Sequence, residues 1–123
     1  LIAKIEDHRS ELERVQLDTM HEAPTLLVSY GTSAGAMRVA LTTARSQGLR
    51  VSGAVVQSLW PVPVRSLRRA AESVQRIVVG ELNPGLYARE IQCLFPDRDV
   101  VSLNRIDGGL LTPEMFVTQC LPG

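Results

Sequence analysis

The stretch "VSYGTSAGAMRVALTTARSQG", Val28 to Gly48, decides the fold. It continues an apolar run, Leu26 to Tyr30, that stops at Gly31; small hydroxyl residues follow and a helical pattern begins at once. Met37, Ala40, Leu41 and Ala44 fall on one face of that helix, and Gly48 sits where a helix stop belongs. The segment is a strand, a tight turn and a helix.

Working outward from it, the period of the pattern switches back and forth. "RVSGAVVQ" (50–57) is a second strand, and "LWPVP" (59–63) breaks the chain with prolines that suit a turn and a helix start. A second helix runs from Val64 to Val74, "RIVVGE" (76–81) is a third strand, "NPGLYAREIQCLF" (83–95) a turn and third helix, and "DVVSLN" (99–104) a fourth strand. "TPEMFVTQC" (112–120) opens with Thr112 as cap, Pro113 at the first helical position and Glu114 in the first turn. Strands alternating with helices across short turns imply a mostly parallel sheet, because the helices are the crossovers and cover both faces. The expected fold is an α/β, three-layer α/β/α sandwich, its strands ordered 2-1-3-4 when counted from Thr25.

Upstream, Ile2 to Leu17 is charged and only partly amphipathic as a helix, and Met20 to Thr25 reads as a linker. Residues 1–24 are therefore expected to be a linker helix and connector from a preceding domain, and residues 25–123 the α/β domain. A helix packed on the flank of this same domain is an equal alternative. The chain opens on Leu1, which fits a cut inside a longer protein.

A chain of 123 residues is long enough to bury one real core. Its 13 Lys and Arg balance 13 Asp and Glu, so nothing favours nucleic acid or an anionic membrane as partner. Apolar runs fall short of the ~20 residues that span a bilayer, and the domain is expected to be soluble and cytoplasmic. Cys93 and Cys120 form neither a CxxC pair nor a disulfide framework, and His8 and His21 lack partners at metal-ligand spacing. No metal site is expected within this chain.

In a doubly wound sheet, ligands sit at the carboxyl ends of strands where the order reverses, here between Gly31-Thr32-Ser33 and the loop from Glu81 to Gly85. Gly31 and Gly35 do not make the GxGxxG of a dinucleotide loop, and no GK[ST] follows. Their expected role is structural: Gly31 permits the turn, Thr32 or Ser33 caps the helix, and Gly35 allows close approach to a strand. An open helix N-terminus with Thr32 and Ser33 remains an anion-binding alternative. Glu81 is the more unusual residue, an acid ending an apolar strand with no Lys, His or second carboxylate nearby in sequence. Accepting hydrogen bonds from loop amides, or reaching a neighbouring subunit, outweighs a ligand or base role. Trp60 is read as a packing residue, with an interface anchor as alternative, and the Arg residues between 65 and 76 as a solvated face.

In this order, "GTSAGAMRVAL", "LRVSGAVVQSLWPVP", "RIVVGELNPGLYAREI" and "LNRIDGGLLTPEMF" resemble the carboxyl-terminal domain of the alpha subunit of 2-oxoacid:ferredoxin oxidoreductases. The most specific marks are Leu59-Trp60-Pro61 with Pro63, Glu81-x-Asn83 with Gly85, and Asn104-x-x-Asp107-Gly108 leading to Thr112-Pro113-Glu114. The 2-oxoglutarate type is nearest, and pyruvate and branched-chain types share much of the pattern. The resemblance implies a transketolase carboxyl-terminal-like fold, in which an additional antiparallel edge strand is common; no strand for that place is evident before Thr25. It implies an enzyme that uses thiamine diphosphate, magnesium and iron–sulfur clusters to convert a 2-oxoacid and coenzyme A to acyl-CoA and carbon dioxide, passing electrons to ferredoxin. Within it this domain would be non-catalytic and hold none of those groups. Its partners would be the preceding alpha-subunit domain and the beta subunit, met through Trp60, Glu81, Asn83, Gly85, Asn104, Asp107 and Gly108. The rival readings are a regulatory module binding a nucleotide or CoA-like anion near Thr32, Ser33, Glu81 and Asn83, and an independent α/β enzyme.

Overall fold

The computed structural model describes residues 14–82, 85–105 and 109–122. Among these residues nine elements follow one another: β1 (Val15–Asp18), β2 (Thr25–Ser29), α1 (Ser33–Ser46), β3 (Val51–Val56), α2 (Val64–Ala70), β4 (Arg76–Gly80), α3 (Leu86–Leu94), β5 (Asp99–Leu103) and α4 (Pro113–Cys120). The sheet runs β1-β3-β2-β4-β5. Its last four strands are parallel and stand in the expected 2-1-3-4 order; the fifth, β1, is antiparallel to β3.

Both faces of the central strands are covered, which is why their sequences are continuously apolar rather than alternating. Ile77 and Val79 of β4 point into one core with Leu67 of α2 and with Tyr87 and Ile91 of α3. Val78 points into the other, with Met37 and Leu41 of α1 and Phe116 of α4. This is the three-layer sandwich. Close backbone approach does occur at glycine, but not at Gly35, around which a Cβ would meet nothing. It occurs in the strands: a Cβ on Gly53 would strike Leu41, and one on Gly80 would strike the Phe116 ring.

The edge strand β1 corrects the expectation of a helix reaching Leu17 and supplies the antiparallel strand that the sequence reading did not find. Val15 is buried and Leu17 half-buried against the α2/α3 core, while Gln16 and Asp18 are exposed, a period of two over four residues. Arginines of α1 tie the edge down. Arg45 pairs with Asp18 Oδ1 at 3.0 Å and donates to the carbonyls of Asp18 and Val51, and Arg38 donates to Gln16 Oε1 at 2.8 Å. Helix α2 ends at Ala70, one turn earlier than expected. Its Arg65, Arg68 and Arg69 lie on the solvated face, whereas Arg76 is half-buried and pairs with Asp99 at 2.9 Å.

The candidate assembly surface

The carboxyl ends of β3, β2 and β4 bring Trp60, Tyr30 and Glu81 to one end of the molecule, around the point where strand order reverses. Glu81 extends β4 by one residue, and its amide donates to the Leu103 carbonyl at 3.1 Å. Its side chain is wholly buried. Oε1 accepts the Tyr30 hydroxyl at 2.8 Å and the Tyr87 amide at 3.0 Å, and Oε2 accepts the Ala88 amide at 3.0 Å. Those two amides are among the orphan donors that every helix N-terminus leaves, so the carboxylate caps α3 from the preceding strand and meets the positive end of its dipole. Gly85 supplies the left-handed turn before α3, with φ 75°.

Tyr87 links this cap to the loop after β3. Its ring is buried, edge-on to Tyr30 at 5.6 Å and to Trp60 at 5.9 Å, and its hydroxyl reaches the Leu59 carbonyl at 3.5 Å. Burial, ahead of the neighbouring Tyr30, pushes the Tyr87 phenol well above its ordinary value, so it stays protonated. Trp60 itself is 57% exposed, and Leu82 and Leu86 on the neighbouring loop and helix start are 46% and 59% exposed. These three large apolar side chains are thus open to solvent at this end of the domain.

The other expected residues are placed differently. Thr32 is exposed at the N-cap of α1 and Ser33 is buried in its first turn, but neither side chain makes a capping bond, and the Ser33 hydroxyl has no partner at all. Gly31 holds the left-handed turn expected of it, at φ 61°. Asn104 turns back onto its own strand, donating to Ser102 Oγ at 3.0 Å. Asn83, Asp107 and Gly108 lie outside the described residues, as does His8. Thr112 has the expected extended backbone before α4, with Pro113 and Glu114 following, yet its hydroxyl does not cap. The sequence reading did not single out Tyr30, Tyr87, Leu82 or Leu86. A signal for Leu86 existed: it shares a helix face with exposed Arg89 and Glu90, where an apolar residue is out of place.

Chemistry at this end is limited by these partners. Glu81 is engaged by three donors, and no group of three His, Cys, Asp or Glu gathers to hold a metal among the described residues. Cys120 is half-buried on α4, and burial pushes its thiol up to about 11 against the opposing pull of Arg76, so it is protonated near neutrality. A cleft of about 490 Å³ lies at the opposite end of the sheet, between Pro24, Arg50, Arg76 and Cys120. No helix among the described residues is long and apolar enough to cross a membrane.

Comparison with known proteins agrees with this architecture. The chain is 30% identical over 122 residues to the 2-oxoglutarate synthase subunit KorA of Methanothermobacter marburgensis, a match covering 98% of the chain and 32% of that subunit. It thus spans about a third of the length of that relative. Among solved structures, the 2-oxoglutarate:ferredoxin oxidoreductase of Magnetococcus marinus superposes with a TM-score of 0.78 at 21% identity, over 96% of this chain and 21% of that one. A split-gene transketolase, an inactive beta4 tetramer, superposes at 0.74 and 14% identity, over 85% of this chain and 39% of that one. These two likenesses carry the fold, which is transketolase-like. The sequence itself matches the family model for the pyruvate:ferredoxin oxidoreductase core domain II over residues 23–116, and the chain belongs to that family.

Proposed function

We propose that this chain is the core domain II portion of the alpha subunit of a 2-oxoacid:ferredoxin oxidoreductase, of the 2-oxoglutarate type, and that it serves assembly rather than catalysis. The observation that carries this reading is the contrast at the carboxyl end of the sheet. Among the described residues, the acid placed where a ligand would sit, Glu81, is buried and spent on capping α3, while Trp60, Leu82 and Leu86 at the same end are exposed. The occupant of that surface is the remainder of the parent alpha subunit, with the beta subunit adjoining. The chain's coverage of only 32% of its curated relative supports this, since most of such a subunit lies beyond it. Fully burying each of these apolar side chains is worth about 1.5–3 kcal/mol, so Trp60 is a fitting anchor.

An enzyme of this type, acting in the cytoplasm, would bind thiamine diphosphate with magnesium, coenzyme A and iron–sulfur clusters, and would deliver electrons to ferredoxin. The donor set of the described residues does not fit those groups: the cysteines Cys93 and Cys120 are not gathered with other ligands, and Glu81 has no free lone pair aimed at solvent. The contribution of this chain is therefore positional, holding neighbouring domains in register around a site that they build.

Calorimetric titration of thiamine diphosphate and coenzyme A into the chain alone, then into the chain reconstituted with the rest of the alpha subunit and the beta subunit, tests the proposal. Binding and oxoacid oxidation are expected only after reconstitution. Saturable binding to the chain alone would overturn the assembly reading in favour of a ligand-binding module.

A further inference from the structure

The sequence leaves Glu81 either to accept from loop amides or to reach a neighbouring subunit, and its side chain has no exposed surface. We infer that Glu81 acts on the assembly surface without touching a partner, as a positioning residue that sets the attitude of Trp60 through Tyr87. The inference rests on the reading of Trp60 as an interface anchor and adds to it the group that holds the anchor in place.

The path is continuous. Oε1 of Glu81 fixes the Tyr87 amide at 3.0 Å, and it also holds the Tyr30 hydroxyl at 2.8 Å. Tyr30 in turn lies edge-on to the Tyr87 ring, with an interplanar angle of 69°. The same carboxylate thus restrains Tyr87 at its backbone and at one side of its ring. Trp60 meets the Tyr87 ring at 73°, and the Tyr87 hydroxyl reaches back to the carbonyl of Leu59, the residue before Trp60. The indole of Trp60 is 57% exposed, and among the described residues its ring partner is Tyr87, the ring that Glu81 holds. Edge-to-face pairs contribute beyond their buried area and depend on the relative tilt of the rings, so a displaced Tyr87 displaces Trp60.

Both oxygens of the Glu81 side chain are used as acceptors at this site. Two donors converge on its Oε1 and one on its Oε2. A glutamine amide has one acceptor oxygen, and whichever way it flips, its NH₂ faces an N–H or O–H that also donates. Glu81→Gln therefore keeps the volume and breaks the geometry.

Trp60 is the only tryptophan in the chain, so its spectrum reads the site directly. Three variants are compared: Glu81→Gln; Tyr30→Phe, which removes one donor; and Val78→Ala, in the core on the other face of the sheet. Under conditions where far-UV circular dichroism is that of the native chain, Glu81→Gln is expected to lower the near-UV tryptophan signal by about half and raise iodide quenching about twofold. Tyr30→Phe moves both the same way by less. Val78→Ala, destabilised as a core truncation should be, leaves both unchanged. A folded Glu81→Gln chain with native Trp60 signals overturns the inference. If that variant does not fold, native signals in folded Tyr30→Phe do the same.

Association with the rest of the parent enzyme then separates the two claims. Glu81→Gln and Trp60→Ala should each weaken it, and the double variant should lose little more than Trp60→Ala alone, because both act through one contact. Fully additive losses would overturn the path through Trp60. If Glu81→Gln shifts the Trp60 spectrum while Trp60→Ala leaves association unchanged, positioning stands and the assembly reading falls.

Discussion

Helices α1 and α3 begin at the same end of this sheet, and they solve the same problem in opposite ways. The N-terminus of α3 is closed by a buried carboxylate five residues upstream of its first residue, with two amides of its first turn satisfied by Glu81. The N-terminus of α1 has no side-chain cap and no acid in its first turn, and it buries a Ser33 hydroxyl without a partner. Both are entered through a left-handed glycine, Gly85 at φ 75° and Gly31 at φ 61°. The difference is in what lies in front. The α3 terminus is locked to β4, and beside it Tyr87 supports Trp60; the α1 terminus is left to solvent with Thr32 exposed. Rigidity at this end of the domain is thus unequal, concentrated where the exposed apolar residues are.

The comparison breaks first at Glu81. Glu81→Ala strands three donors in a buried site and should cost about 3 kcal/mol in urea unfolding, a large part of a domain's net stability. A loss below about 1 kcal/mol, the size of an ordinary surface cap, would show that the two termini are equivalent after all. Gly85→Ala and Gly31→Ala come next, each expected to cost about 1 kcal/mol for placing a Cβ in the left-handed region, since neither Cβ would clash. The Gly85 loss should slightly exceed the other, because misplacing that turn also disturbs the Glu81 bonds.

At the bare terminus the signs reverse. Ser33→Ala removes a buried hydroxyl with no partner and should stabilise the chain by up to about 1 kcal/mol. Destabilisation in the same urea unfolding would reveal a partner at that hydroxyl. The smallest expected change is Thr32→Asp, which gives α1 the acid it lacks and should add about 0.5 kcal/mol, diminishing as salt screens the helix dipole.

The contrast also explains which features were legible. The glycine at the start of each helix was readable because a left-handed turn leaves a residue-type signature. The cap on α3 was only half readable: an acid at the end of an apolar strand stood out, and loop amides were a natural partner for it. Its complete burial and its hold on Tyr30 could not be read, since Tyr30 ends a different strand, 51 residues away. The caps expected from Thr32, Ser33 and Thr112 had the right positions and the wrong interactions, because a hydroxyl's rotamer is chosen by its surroundings as much as by its place in the helix. Edge strand β1 was legible in principle from Val15-Gln16-Leu17-Asp18, but four alternating residues beside a charged stretch are too few to outweigh a helical reading.

The sequence by itself determined the alternation of strands and helices and the two-sided burial of the central strands, while the order of the four parallel ones was a default for this fold class that the structure decided. Alternation and burial follow from periodicity and from chain reach, which act over neighbouring elements. Only the tertiary structure decided that β1 completes the sheet, that Glu81 serves a helix rather than a ligand, and that Trp60 rests on Tyr87 with its face open. Each of these depends on groups distant in sequence converging within a few ångströms, and hydrogen bonds and ring contacts are fixed at that range, where residue spacing along the chain carries no information.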